Sequence, residues 1–288
     1  MTAVTETVVG EAGVVEANGL HVYYEEWGEG HPLILLHGAT VTHSMWATVI
    51  PALAAHHRVI APDLRGHGDS AWAIGGNYSI IDYALDIHAL AEHIGRAPYA
   101  VVAHSLGGSV ALQYAGAFPE KVSKIVNIEG GGLAWISNTR RPAHVRMREW
   151  VQSMRKLEGR KLPVYPDLDA ATRRMIDANQ HLTPDLARHL TETGARPVVG
   201  GYSWKFDNYT HAGSPYEFNM EDARDLWNQI RAPILILWAE EGWGRHIKQL
   251  DVSPFHNVRD VFVRDAGHWI HHDQFETFMS LVDSFLAE

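Results

Sequence analysis

The run Val101-Val102-Ala103-His104-Ser105-Leu106-Gly107-Gly108 carries a buried-strand pattern straight into a serine and then into a glycine-rich, helix-forming stretch. A strand that breaks into a helix at a serine lifts the hydroxyl above the strand ends, and the helix N-terminus favours negative charge developing beside it. A serine nucleophile needs that geometry. The flanking residues must be small, because the backbone of so sharp a turn passes close to its neighbours. Gly107 meets the need, and Ala103 stands where the G-x-S-x-G pattern has its first glycine. A serine that only caps a helix would leave the same trace, so its companions decide between the two readings.

Two companions are present. Leu35-Leu36-His37-Gly38-Ala39 is another buried run, one βα unit earlier, that ends in His-Gly. Its turn frees the Ala39 amide to face the serine, so the N–H groups of Ala39 and Leu106 are expected to form a two-donor oxyanion hole. The second companion is Ala266-Gly267-His268-Trp269, after the last apolar run. A serine needs an imidazole to take its proton and later return it. Of 19 histidines, His268 stands where a loop opens at the same sheet edge as Ser105. His271 and His272 nearby invite a metal reading, but no cysteine and no His-Glu pairing at helical spacing support it, so no metal is expected. The side chain of His104 is expected to point away from the Ser105 hydroxyl.

These residues must be positioned by strands and helices. Asn18-Gly19 between two β-forming runs predicts a hairpin. Leu33–Leu36, Arg58–Ala61, Tyr99–Ala103, Lys124–Ile128, Pro233–Trp238 and Val258–Val263 read as strands, most of them short, continuous apolar runs. Ser79–Ile94 spaces its apolar residues by three and four, as an amphipathic helix does, and Leu106–Phe118 and Gln274–Leu286 read similarly. Buried strands alternating with helices predict a mostly parallel sheet covered on both sides. The alternation stops after Gly132. Residues 133–220 are polar, helical in pattern and rich in arginine and aromatics, so a helical cap insertion over 133–220 is expected within a core formed by 1–132 and 221–288.

The chain has 288 residues, 46% of them hydrophobic and 20% charged, with a net charge of −10. An acidic chain without basic runs is a poor match for phosphate backbones or anionic lipid, so no nucleic-acid or membrane partner is expected. The absence of cysteine removes disulfides and a cysteine nucleophile. Met1–Glu26 has no basic, apolar leader pattern, and nowhere do about 18 apolar residues follow one another, so a cytoplasmic location is expected.

The elbow, the His-Gly turn and the late histidine, in this order on alternating β/α units, resemble the α/β-hydrolase superfamily over nearly the whole chain. Asp63-Leu64-Arg65-Gly66-His67-Gly68-Asp69-Ser70 looks like its D-x-R-G-x-G-x-S loop, an architectural feature. Ile128-Glu129-Gly130, Tyr165-Pro166, Gly200-Gly201-Tyr202-Ser203-Trp204 and Arg231-Ala232-Pro233 are most similar to the serine hydrolase-like branch. The resemblance implies an eight-stranded, mostly parallel sheet flanked by helices. It also implies an acid that orients His268, and here the pattern departs. Most relatives carry Asp in a G-x-x-D arrangement after the strand that corresponds to Pro233–Trp238; this chain has Ala239-Glu240-Glu241-Gly242. Glu129 stands where one subgroup of haloalkane dehalogenases supplies its acid, and those enzymes also carry glycine at the vacated site. Glu129 is therefore expected to be the acid, with Glu241 and Glu240 as alternatives and a dyad without acid as a third possibility.

Serine rather than aspartate at position 105 argues against the dehalogenase and epoxide-hydrolase reactions, both of which attack with a carboxylate. The expectation is cleavage of a carboxylic ester or lactone of moderate size and low polarity, without a cofactor. Trp46, Trp135, Trp243 and Trp269 are candidates for an apolar substrate pocket, although about half of such tryptophans would only fill the core. Arg140, Arg141 and Arg146 could meet a substrate carboxylate or form a solvated face. Carbon–carbon bond hydrolysis, a cofactor-free dioxygenase and a slow ligand sensor are competing functions on this fold. Oligomeric state is left open.

Overall fold

A computed structural model describes residues 10–73, 78–131, 142–179, 181–212, 214, 220–242 and 252–288. Strands β1 (Glu11–Ala17) and β2 (Leu20–Trp27) form the hairpin that Asn-Gly predicts. Asn18 has φ 49° and Gly19 φ 77°, the consecutive positive values that a two-residue turn between right-twisted strands requires. Strands β3 (His31–Leu36), β4 (His57–Pro62), β5 (Tyr99–His104) and β6 (Val122–Ile128) follow. An insertion then carries β7 (Ala195–Val198) and β8 (Gly201–Trp204), and β9 (Ile234–Ala239) and β10 (Val258–Val263) end the series.

Eight of these strands form one sheet in the order β1-β2-β4-β3-β5-β6-β9-β10, in which β2 alone opposes the rest. The continuous apolar runs exist because the central strands are buried on both faces. Ile34 and Leu36, Val101 and Ala103, and Ile234 and Ile236 point to one core cluster, while Leu33 and Leu35, Ala100 and Val102, and Leu235 and Leu237 point to the other. Each such leucine or isoleucine contributes about 1.5–3 kcal/mol relative to exposure.

Helices α1 (Ile50–Ala54), α2 (Ile80–Ile94) and α3 (Leu106–Ala117) lie between the strands. Ser79 starts α2 with a capping box, its hydroxyl accepting from Asp82 N–H while the Asp82 carboxylate accepts from Ser79 N–H. Helix α3 is buried almost all round, because glycine and alanine let neighbouring elements approach it closely. A Cβ on Gly116 would lie 2.5 Å from the carbonyl oxygen of Leu226.

The insertion holds α4 (Ala143–Glu158), α5 (Leu168–Ala178) and α6 (Pro184–Gly194). The expected boundary at 132–133 lies outside the described residues. Between α6 and the return to the sheet the chain makes the antiparallel ribbon β7–β8, which the helical reading of this stretch does not anticipate. Its strands have four residues each, too few for an alternating pattern to register, and one contains Pro197. Tyr165 and Tyr202 exchange two backbone bonds of 2.8 Å and so tie the ribbon to the segment before α5. The insertion is also fastened to the loop after β4, where Lys205 O accepts from Gly68 N–H and Gly66 O from Asp207 N–H. Helix α7 (Met220–Gln229) leads back to β9, and α8 (Ile270–Asp273) and α9 (Phe275–Ala287) follow β10. Among the described residues no helix is long and apolar enough to cross a membrane.

Candidate active site

Ser105 is the residue at which β5 ends and α3 begins, and its backbone has φ 51° and ψ −109°. A non-glycine residue held there costs about 1–3 kcal/mol, so the surroundings must fix it. They do so through Ser105 N–H, which donates to Ile128 O at 2.8 Å, and Ser105 O, which accepts from Ser109 N–H at 3.1 Å. Gly107 N–H donates to His37 O at 3.1 Å and joins the elbow to the end of β3. A Cβ on Gly107 would lie 2.5 Å from Leu36 O and 2.7 Å from His37 O, backbone atoms that cannot swing aside.

The His-Gly turn abuts the elbow. A Cβ on Gly38 would stand 3.4 Å from Ser105 Cβ. His37 is wholly buried and fixes the turn with both ring nitrogens: Nδ1 donates to Gly38 O at 2.6 Å, and Nε2 accepts from Leu64 N–H at 2.8 Å. Burial pushes its pKa down to about 3, which keeps the ring neutral and the pattern of donor and acceptor stable. Ala39 is exposed beyond this turn, and Leu106 begins α3, where N–H groups have no partner within the helix.

His268 lies on the loop between β10 and α8, next to the elbow. Its ring centroid is 4.5 Å from that of His104, and its backbone carbonyl accepts from His104 Nε2 at 2.8 Å. The His104 side chain therefore packs against the histidine loop. Asp273 Oδ2 accepts from Gly267 N–H at 2.8 Å and holds the same loop.

The carboxylate facing His268 is that of Glu129. Its Oε2 lies 3.3 Å from His268 Nδ1, and its Oε1 accepts from Ala239 N–H at 2.7 Å. The Glu129 side chain is 0% exposed and that of His268 29%. Glu129 is itself left-handed, with φ 53°, and its N–H donates to Leu237 O, which turns the residue across β9. Gly242 explains why the glutamate fits: a Cβ there would lie 2.5 Å from Glu129 Oε2. The alternatives point elsewhere. Glu241, 52% exposed, pairs with His181 Nε2 at 3.3 Å, and Glu240 accepts from Asp265 N–H.

Of the candidate pocket tryptophans, Trp46 is 0% exposed and packs in the core with its ring 4.9 Å from that of His271. It belongs to the core-filling half of that expectation. Trp269 is half-buried, edge-on to His272. Trp135, Trp243, Arg140 and Arg141 lie outside the described residues, and Arg146 is half-buried on α4.

The sequence reading missed a cluster beneath the His-Gly loop. His43 bonds Asp63 Oδ1 at 2.9 Å through Nδ1 and pairs with Glu25 at 3.3 Å through Nε2. Burial opposes its charge, but bonds to Asp63 and Glu25 outweigh it and push its pKa up to about 10. Burial likewise acts against the Asp63 charge, and His43 more than offsets it, holding the carboxyl below its usual value. Asp63 also accepts from His43 N–H and Asp69 N–H, in keeping with the architectural reading of its loop. Nearby, Ser44 Oγ bonds Thr42 Oγ1 and accepts from Thr193 Oγ1 of α6, each at 2.7 Å. No periodicity or motif connects residues so far apart in the chain.

Fold and site together define an α/β-hydrolase. The chain belongs to the alpha/beta hydrolase fold family, whose model matches residues 31–275. It is 25% identical over 272 residues to a serine hydrolase-like protein of Danio rerio, covering 90% of this chain and 83% of that one. It is 26% identical to the 2-hydroxy-6-oxo-2,4-heptadienoate hydrolase of Pseudomonas putida, covering 95% of each. A hypothetical protein of Pseudomonas aeruginosa PAO1 has a similar structure, with TM-score 0.87 and 26% identity over 96% of this chain and all of that one.

Proposed function

We propose that this protein is a serine hydrolase that cleaves a carboxylic ester or lactone of moderate size and low polarity through an acyl-enzyme. The observation that carries the reading is Ser105 at a left-handed strand-to-helix apex, beside a histidine loop whose Nδ1 faces the buried Glu129 carboxylate. With Nδ1 turned to Glu129, His268 Nε2 is the nitrogen assigned to the Ser105 hydroxyl. His268 takes the hydroxyl proton as Ser105 Oγ attacks the carbonyl, and Glu129 holds the imidazolium that forms. The oxyanion is received by the N–H groups of Ala39, in the loop after β3, and of Leu106, at the start of α3. Collapse of the tetrahedral species expels the alcohol, which takes the proton from His268. Water then attacks the acyl-enzyme with His268 again as base, and the acid and free Ser105 are released.

The test is incubation with a fluorophosphonate followed by peptide mapping, together with the time course of p-nitrophenol release from a short p-nitrophenyl ester. The reading expects modification at Ser105 and a burst close to one equivalent per chain. A second reading, carbon–carbon hydrolysis of a dienoic diketone, is favoured by the similarity to the P. putida enzyme over nearly the full length of both chains. Turnover of such a diketone much faster than of any ester would select it. Oxygen consumption without labelling would select a dioxygenase, and tight ligand binding with negligible turnover a sensor.

A further inference from the structure

His104 is 1% exposed, and its two nitrogens have different surroundings. Nε2 lies 2.8 Å from the carbonyl oxygen of His268. A carbonyl only accepts, so the proton of His104 resides on Nε2 and the ring donates. Nδ1 has no hydrogen-bond partner in the structure and faces the oxyanion loop, where a Cβ on Gly38 would approach it to 2.6 Å. The ring centroids of His268 and His271 lie 4.5 and 5.3 Å away. One side chain thus touches the His-Gly turn, the elbow through its own backbone, and the loop that carries His268.

Burial holds the His104 pKa well below that of a free imidazole, so the ring is neutral and its single donor stays committed to His268 O. Rotation of the peptide that follows His268 would shift the backbone from which the imidazole projects. The bond from His104 opposes that rotation, while the bond from Gly267 N–H to Asp273 holds the loop one residue before His268. Loss of a buried bond at this point leaves the His268 carbonyl unsatisfied and the loop free to shift, and a displacement of about 1 Å at a reacting group costs about 100-fold in rate.

We propose that His104 is a positioning residue for His268: its Nε2–H clamps the His268 carbonyl and thereby sets the direction of the imidazole. The inference rests on His268 acting as the base proposed above, and it deepens that reading by naming a second group, besides Glu129, that orients the base.

Three variants test it. His104→Leu keeps bulk but removes the donor. In His104→Gln the amide nitrogen reaches about as far as Nε2, whereas in His104→Asn it reaches only about as far as Nδ1. His104→Leu and His104→Asn are expected to lower kcat by about 10- to 100-fold with KM changed less than about threefold, and His104→Gln to recover most of the loss. A second readout needs no substrate: the downfield proton resonance of the His268 Nδ1–H facing Glu129, assigned by its loss in His268→Ala. It should stay sharp in wild type and His104→Gln and broaden or vanish in His104→Asn and His104→Leu. If His104→Leu does not fold, the Gln and Asn pair decides. Equal kcat and equal resonances in that pair would overturn the inference. If wild type forms no acyl-enzyme, the catalytic reading falls, and the resonance still reports on the clamp separately.

Discussion

Glu129 and residue 242 compete for one volume. A Cβ at Gly242 would lie 2.5 Å from Glu129 Oε2, so a side chain at the usual acid position and the Glu129 carboxylate in its present place exclude each other. On this account Glu129→Gln lowers kcat by about 10²- to 10⁴-fold in steady-state assays of one activated ester, because the amide no longer stabilises the imidazolium. Glu241→Gln, on an exposed residue paired with His181, should stay within about threefold of wild type. Collapse of the second variant but not the first would assign the acid to Glu241. The relocation also predicts a rescue. Gly242→Asp alone should impair the enzyme by displacing the Glu129 carboxylate. Added to Glu129→Gly, whose left-handed φ glycine adopts freely, it should raise kcat about tenfold or more over the single Glu129→Gly variant.

At the scale of elements, α3 and the end of β3 are locked by Gly107. Gly107→Ala drives a methyl group into Leu36 O and His37 O and should destabilise the protein by about 1–3 kcal/mol in urea unfolding. It should also lower kcat, because His37 and Gly38 shift with the strand end. Ser79→Ala removes the capping box of α2, far from the site, and should cost about 1 kcal/mol with kcat unchanged. The two variants separate an elbow contact from a purely structural one. These elements were largely legible in the sequence: apolar runs gave the central strands, Asn-Gly the first hairpin, and the Ser-Leu-Gly-Gly junction the elbow. Even the contact of Glu129 with His268 left a trace, as a glycine where a carboxylate is usual and a glutamate one strand away. The ribbon β7–β8 left none, since four-residue strands with a proline carry no period. Nor did the contacts of His43 with Glu25 and Asp63, or of His104 with the His268 carbonyl, because only folding joins them.

The whole molecule places many histidines in its interior, and their protonation links stability to pH. Burial pushes His37 and His272 down to about 3 and holds His104 and His271 well below the free value. In the unfolded chain each takes up a proton near pH 6.5. Their neutral burial therefore contributes fully above about pH 6.5, and that contribution is lost as pH falls toward their folded values. His43, pushed up to about 10, acts in the opposite sense: its contribution is full below about pH 6.5 and fades as pH rises toward 10. Burial lowers His57, His67, His189 and His211 as well, and eight rings against one make the acid side steeper. Thermal melts should show Tm greatest near pH 7, a marked fall between about pH 6.5 and 4.5, and a shallower decline toward pH 10. A Tm that is flat or rising on the acid side would contradict this picture of neutral buried imidazoles.

The account depends most on Ser105 Oγ and His268 Nε2 addressing the same reacting atom. A crystal structure of the protein after reaction with a fluorophosphonate tests this directly. The account predicts phosphorus bonded to Ser105 Oγ, its oxyanion-like oxygen within about 3 Å of the Ala39 and Leu106 nitrogens, and His268 Nε2 facing Ser105 Oγ. An adduct on another residue, or one on Ser105 with the His268 imidazole turned away from it, would contradict the account.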